Sequence, residues 1–163
     1  MSYSAFSGFE HIASGSLAQV YAASSHIPDC MIFDRETGRV TDVYPRFPPQ
    51  EDGPRPGRPK LGVVPREVTL LPRHWDWLAT QPGGASVALR KLVEEASRKP
   101  QSRQRQVRDA VYRLATALVG NAPGYEEAMR ALYAGQRDDF AAHIEAWPAD
   151  VRQVLEEMTA EAF

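Results

Sequence analysis

The side chains best suited to chemistry in this sequence are the arginines and lysines of its central part, and the chemistry they offer is anion binding. Residues 46–113 hold fourteen basic residues and seven acidic ones, a net charge of +7, whereas residues 1–45 carry -3 and residues 114–163 carry -6. Basic side chains gathered in one segment bind phosphates or pair with carboxylates. The charge pattern therefore indicates a local anion-binding surface, or basic helix faces that complement acidic ones.

The sequence lacks the residue patterns that catalysis and metal binding require. Cys30 is the single cysteine, which excludes an internal disulfide framework and a zinc site built from several thiolates. The four histidines are dispersed, and adjacent acids such as Glu94 and Glu95 diverge on a helix instead of forming a catalytic pair. The sequence contains no P-loop, dinucleotide-binding, nucleophile-elbow or zinc-protease motif. We therefore expect no metal, no cofactor and no enzymatic activity.

Length and composition bound the class of protein. With 163 residues, 43% of them hydrophobic and 25% charged, the chain fits one ordinary globular domain or two small ones. No apolar run approaches the ~18 residues of a membrane span, and the first residues lack the basic start and apolar block of a secretory signal. We expect no membrane association and a cytoplasmic location.

The first segment, residues 1–45, is predicted to be a small α+β unit. Loose alternation of apolar residues in Tyr3–Ala13 predicts two short strands or a hairpin. Apolar residues at helical spacing from Leu17 to Ser24 follow the run Ser14-Gly15-Ser16, which offers helix N-cap chemistry. Residues 30–44 alternate around a turn in which Gly38 supplies a positive φ, and this pattern predicts a second hairpin.

The second segment, residues 46–65, is predicted to be a proline-rich basic arm or linker. Six prolines and two glycines among residues 45–60 exclude a helix or a central strand. The run Gly57-Arg58-Pro59-Lys60 resembles the core of an AT-hook, which implies that Arg55, Arg58 and Lys60 contact the minor groove of DNA. The alternative is a stiff linker whose arginines are solvated or pair with acidic helices. Pro56 departs from the AT-hook pattern, in which arginine usually precedes the glycine.

The third segment, residues 66–100, is predicted to form a strand followed by two helices. The strand covers Arg66–Leu71, and the first helix begins at Pro72, a residue favoured in the first turn. A glycine turn separates it from a second helix that starts with Ser86 as its N-cap candidate and ends near Lys99. The second helix carries an apolar stripe, which we expect to face inward. It consists of Leu89, Leu92, Val93 and Ala96.

This third segment resembles the ribbon-helix-helix family of bacterial DNA-binding proteins. The likeness rests on the order strand, helix, glycine turn, helix, and on the start of the second helix, Ser86-x-x-Leu-Arg-x-Leu-Val. The family implies that two chains pair their strands into a ribbon that enters the major groove, so the resemblance predicts an obligate homodimer on double-stranded DNA. It further implies that Arg66 and Arg73 hold phosphates, that Thr69 contacts a base, and that Ser86 with the amides after it holds a phosphate.

The reading positions of the ribbon depart from that family. One register turns Glu67, Thr69 and Leu71 outward, and the other turns Val68 and Leu70 outward. A base-reading ribbon usually presents polar or basic side chains, so neither register suits sequence-specific reading, although either one permits dimerisation.

A second likeness covers the arm and this segment together. The runs GRPKLGV, REVTLLPRHW and QPGGAS resemble a bacterial family known mainly as a domain of unknown function, which implies no activity.

The last segment, residues 101–163, is predicted to be an acidic bundle of four helices. Each helix carries an apolar stripe, and Gly120, Gly135 and Pro148 mark the boundaries between helices. The expected fold class is therefore α+β, with an N-terminal hairpin and helix unit, a ribbon-helix-helix-like centre and a C-terminal helical bundle.

Two functions remain open on this sequence. The first is a dimeric DNA-binding protein, either a transcriptional regulator or a DNA-associated protein. The second is a protein-interaction or scaffold protein that uses the ribbon only to dimerise and does not bind DNA.

Overall fold

A three-stranded antiparallel sheet and seven helices make up the described part of a computed structural model, which covers residues 2–41, 64–160 and 162–163. The expected α+β class is confirmed, and Arg55, Arg58 and Lys60 lie outside the described residues. In chain order the elements are β1 (Tyr3–Ser7), β2 (Glu10–Gly15), α1 (Leu17–Ser24), β3 (Cys30–Asp34), α2 (Pro72–Ala79), α3 (Gly84–Ser97), α4 (Pro100–Val119), α5 (Tyr125–Ala134), α6 (Arg137–Ile144) and α7 (Ala149–Thr159).

The chain divides into two compact units. One contains residues 2–41 together with residues 100–163, and the other contains residues 64–99. No helix within the described ranges is both long enough and apolar enough to cross a membrane.

The sheet of the first unit has the strand order β2-β1-β3. Strands β1 and β2 form the predicted N-terminal hairpin, with a change of register between Ala5 and Phe6. Strand β3 also pairs antiparallel with β1. Up to residue 41, the predicted second hairpin is present as an antiparallel bridge between Phe33 and Val40. The amides of Asp34 and Thr41 donate to the carbonyl oxygens of Arg39 and Ile32, at 2.9 and 2.7 Å. The remaining positions of that hairpin, residues 42–44, lie outside the described ranges.

Helix α1 begins directly after the predicted capping run, and its N-cap is Ser16. The Ser16 hydroxyl accepts a hydrogen bond from the amide of Gln19, and the Gln19 side chain accepts one from the amide of Ser16. This capping box satisfies two amide groups that the first turn of a helix leaves without partners.

The sheet lies between two layers of side chains because alternate residues of a strand face opposite sides. Ala5 and Ile32 pack with Val20 of α1. Phe6 and Phe33 belong instead to the buried cluster formed by helices α4 to α7, and their rings meet edge to face at 6.1 Å. The strands and the C-terminal helices therefore share one hydrophobic core.

The four C-terminal helices confirm the stripes expected from the sequence. Val111, Leu114, Ala115 and Leu118 of α4 are buried. Helix α5 ends at Gly135, whose φ of +75° is the left-handed conformation that terminates helices without a Cβ penalty.

The second unit departs from expectation at two points. The strand predicted at Arg66–Leu71 is not formed, because residues 64–71 have no strand partner among the described residues. The N-cap of α3 is Gly83 and not Ser86, which is the third residue of the helix. The Gly84 amide donates to the Gln81 carbonyl oxygen at 3.0 Å, so the turn leads into the helix three residues earlier than predicted.

Candidate nucleic-acid and dimer interface

The unit of residues 64–99 buries little of its own apolar surface. Among its described residues, Leu78 and Ala88 are the buried ones. The stripe of α3 that was expected to face inward is largely open, since Leu92 is 45% exposed and Val93 is 65% exposed. Apolar side chains of this size are rarely left together in water unless a ligand or another chain covers them.

A groove of about 270 Å³ runs between α2 and α3. Its lining is apolar apart from one imidazole, and consists of Leu70, His74, Trp77, Leu78, Leu89 and Leu92. The helices are held to each other by this lining, yet the groove stays open on its outer side.

Both tryptophans of α2 are exposed. Trp75 is 42% exposed and Trp77 is 50% exposed. Positions two apart on a helix face different directions, and in a unit with so small a core neither direction leads to a buried site. A large aromatic side chain left half open is typical of a surface that another molecule covers.

The segment of residues 64–71 approaches α2 without regular pairing. Leu70 lines the groove. It therefore faces inward, as in the register that turns Glu67, Thr69 and Leu71 outward. Val68 and Leu71 are 55% and 49% exposed. An extended stretch with open backbone groups and apolar side chains is a template for pairing with another strand.

The candidate phosphate-binding residues of this unit are all exposed. Arg66, Thr69 and Arg73 lie in or directly after the extended segment, and Ser86 lies in the first turn of α3. Within the described ranges, no hydrogen bond or ion pair ties Arg66 or Arg73 to an acid, and no side chain caps the amides of α3. These amides and the positive end of the helix dipole suit an anion.

Further along α3, one cation is already paired. Arg98 forms an ion pair with Glu94 one turn earlier, and both side chains are well exposed. Such a pair contributes about 0.3–0.5 kcal/mol and leaves Arg98 less available to an anion.

The groove residues His74, Trp77 and Leu78 are the part of this surface that sequence reasoning missed. The stripe on α3 identified one wall, but the opposite wall combines residues three and four apart on α2 with Leu70, which comes before the helix. The helical spacing of His74 with Trp77 and Leu78 was the available signal.

A family model described as "Uncharacterized protein conserved in bacteria (DUF2239)" matches residues 2–159. The chain belongs to this family. The expected likeness to a bacterial family of unknown function is thereby confirmed. The match covers both compact units, so the sheet, the C-terminal helices and the unit of residues 64–99, here called the groove unit, are parts of one family architecture. No curated protein and no solved structure matches the chain.

Proposed function

We propose that the protein is a dimeric DNA-binding protein, a transcriptional regulator or DNA-associated protein that holds duplex phosphates through residues 64–99 and the basic arm before them. The observation that carries this proposal is the combination, in one small unit, of an open apolar groove and exposed arginines that pair with no acid within the described ranges.

The groove is covered by a second copy of the chain. A lone unit with two buried residues lacks the core that a small domain needs, whereas two copies would bury Leu92, Val93 and Trp77 of each. Each large apolar side chain that becomes buried contributes about 1.5–3 kcal/mol. A second copy also supplies an antiparallel partner for residues 64–71, whose backbone has none within the described chain.

Pairing of two copies concentrates positive charge. Arg66 and Arg73 would then each occur twice near one ribbon, beside two uncapped ends of α3. Arg55, Arg58 and Lys60 of each arm would add contacts in the adjacent minor groove. Such contacts fix a protein on the phosphate backbone without reading sequence, which agrees with the poor reading positions noted above.

The test is the affinity for a labelled duplex measured over a range of salt concentrations. The logarithm of the binding constant should fall linearly with the logarithm of the salt concentration, with a slope of about -0.9 for each phosphate contact. The double variants Arg66→Ala/Arg73→Ala and Arg58→Ala/Lys60→Ala should each weaken binding and reduce this slope. The control Arg130→Ala/Arg137→Ala removes the same charge from exposed positions of the other unit and should change little.

The absence of duplex binding at low salt would contradict the proposal. Equal losses in the test and control variants would also contradict it, because the effect would then reflect only net charge.

The second candidate function is protein interaction or scaffolding without DNA. It is favoured by the outward side chains of the extended segment, where Val64 is 67% exposed, Val68 is 55% exposed and the acid Glu67 is open as well. Apolar and acidic side chains do not suit a surface facing phosphates. A dimer that ignores duplex DNA at low salt would support this candidate over the first.

A further inference from the structure

A polar cavity lies in the other unit, where the turn after β3 meets α4. Its volume is about 420 Å³. The lining consists of Glu36, Thr37, Arg39, Gln106, Asp109 and Arg113. Five of these six residues are exposed, so the cavity is open to solvent, and its converging polar groups set which small molecules it can hold.

The turn that forms one wall is fixed by its own hydrogen bonds. The Asp34 carboxylate accepts hydrogen bonds from the amides of Glu36 at 2.8 Å and Thr37 at 3.4 Å. Across the cavity, Nη1 of Arg113 donates to the carbonyl oxygen of Thr37 at 2.7 Å. These contacts hold the polar groups in place before a ligand arrives, which lowers the entropic cost of binding.

The acidic groups of the cavity are already engaged within the chain. Asp109 accepts a hydrogen bond from the Tyr133 hydroxyl at 2.8 Å. Glu36 also takes part in an interaction within the chain. The Asp109 carboxylate therefore has less capacity to hold a ligand cation than its charge alone indicates.

The guanidinium groups retain unused donors. Arg113 spends one N–H group on Thr37 and has four more. The Arg39 side chain makes no hydrogen bond or ion pair with any residue in the described ranges. Guanidinium groups with free N–H donors hold carboxylates and phosphates through paired, charge-assisted hydrogen bonds.

We propose that this cavity binds a small molecule through its oxyanion, a carboxylate or a phosphate group, held by Arg39 and Arg113. The amide of Gln106 supplies a further polar contact. The ligand must also carry at least one hydrogen-bond donor, because Glu36 and Asp109 line the same cavity and disfavour a molecule that is purely anionic. The site is independent of the proposed DNA contacts and gives the protein a place for a small-molecule effector.

The test uses three probes followed by the backbone amide signals of the cavity in nuclear magnetic resonance. Glycerol 3-phosphate carries a phosphate with hydroxyl donors, L-serine carries a carboxylate with an ammonium donor, and glycerol carries donors without an oxyanion. We expect saturable shifts at Thr37 and Arg113 with one of the first two probes, and the stronger of these identifies the oxyanion. Glycerol should produce no saturable shift.

Two variants and one control decide whether the proposed groups are responsible. Arg39→Ala should weaken binding at least about tenfold, the loss typical of one charge-assisted hydrogen-bond pair. Asp109→Asn keeps an acceptor for Tyr133 but removes a negative charge, and should tighten binding severalfold. Arg137→Ala, which removes an exposed cation outside the cavity, should leave binding unchanged.

Two results would overturn the proposal. One is the lack of saturable binding of either oxyanion probe. The other is an equal loss in Arg39→Ala and Arg137→Ala, which would mean that anions associate with the surface charge and not with this cavity.

Discussion

Gly38 lies directly against the backbone of α4. Its φ of +67° lies in the left-handed region, as its place in a turn predicted. The structure adds a second constraint, because a Cβ atom built at Gly38 would lie 2.0 Å from the carbonyl oxygen of Ala110. Glycine is therefore required here for space as well as for backbone conformation.

We expect Gly38→Ala to destabilise the protein by about 2–4 kcal/mol, because backbone strain of about 1–2 kcal/mol adds to the displacement of α4. Gly8→Ala is the matched control: Gly8 has a φ of +57°, but nothing lies within 4 Å of the Cβ position. That variant should lose only the strain term. Denaturant unfolding measures both, and equal losses would show that the approach to Ala110 costs nothing.

Ionisation of the Tyr133 hydroxyl destabilises the folded state. Burial, the hydrogen bond to Asp109 and the charge of Asp109 together raise the pKa of Tyr133 from 10.0 to about 12. A raised pKa means that this contribution to stability is complete below about pH 10 and is lost as the pH rises toward 12.

Tyr133→Phe should therefore unfold with a weaker pH dependence than the wild type between pH 10 and about 12. Denaturant unfolding at several pH values in this window provides the measurement. Tyr21→Phe serves as the control, since Tyr21 lies on α1, away from Asp109. The interpretation fails if Tyr133→Phe follows the wild-type curve throughout the window.

The start of α2 and the end of α5 follow from the sequence alone, whereas the start of α3 does not. Pro72 begins α2, and Gly135 ends α5, because proline and glycine restrict or free the backbone locally. The strand predicted at residues 66–71 is absent for a complementary reason. A strand requires a hydrogen-bonding partner, and the local pattern of residues does not show whether the chain provides one.

The two serines assigned as helix caps provide a direct test of these boundaries. Ser16→Ala should destabilise the protein by about 1 kcal/mol, because the Gln19 amide in the first turn of α1 loses the hydroxyl to which it donates. Ser86→Ala should change stability by less than about 0.5 kcal/mol, because Ser86 is an exposed third residue of α3 and caps nothing. Thermal unfolding distinguishes the two variants. A loss of stability above about 0.5 kcal/mol in Ser86→Ala would indicate that Ser86 does cap α3.

The sequence does not show which segments fold together into one compact unit. The amide of His11 donates to the Asp150 carboxylate at 2.9 Å, and Arg35 pairs with Glu157 at 3.0 Å. These partners are more than a hundred residues apart, and no local periodicity records such contacts. The polar cavity could not be predicted from the sequence for the same reason, since Arg39 and Arg113 come together only after folding. The charge pattern did locate the exposed cations of the groove unit.

The groove unit should open more easily than the rest of the chain, and its protection should depend on protein concentration. Among residues 64–99 two side chains are buried, whereas α4 alone buries six. Dimerisation would therefore slow amide hydrogen exchange in α2 and α3 as concentration rises, while exchange in α4 stays constant. Leu92→Glu should weaken the dimer at least about tenfold by placing a charge in the groove, and Lys91→Glu, an exposed neighbour, should not. Exchange that ignores concentration would mean that no second copy covers the groove.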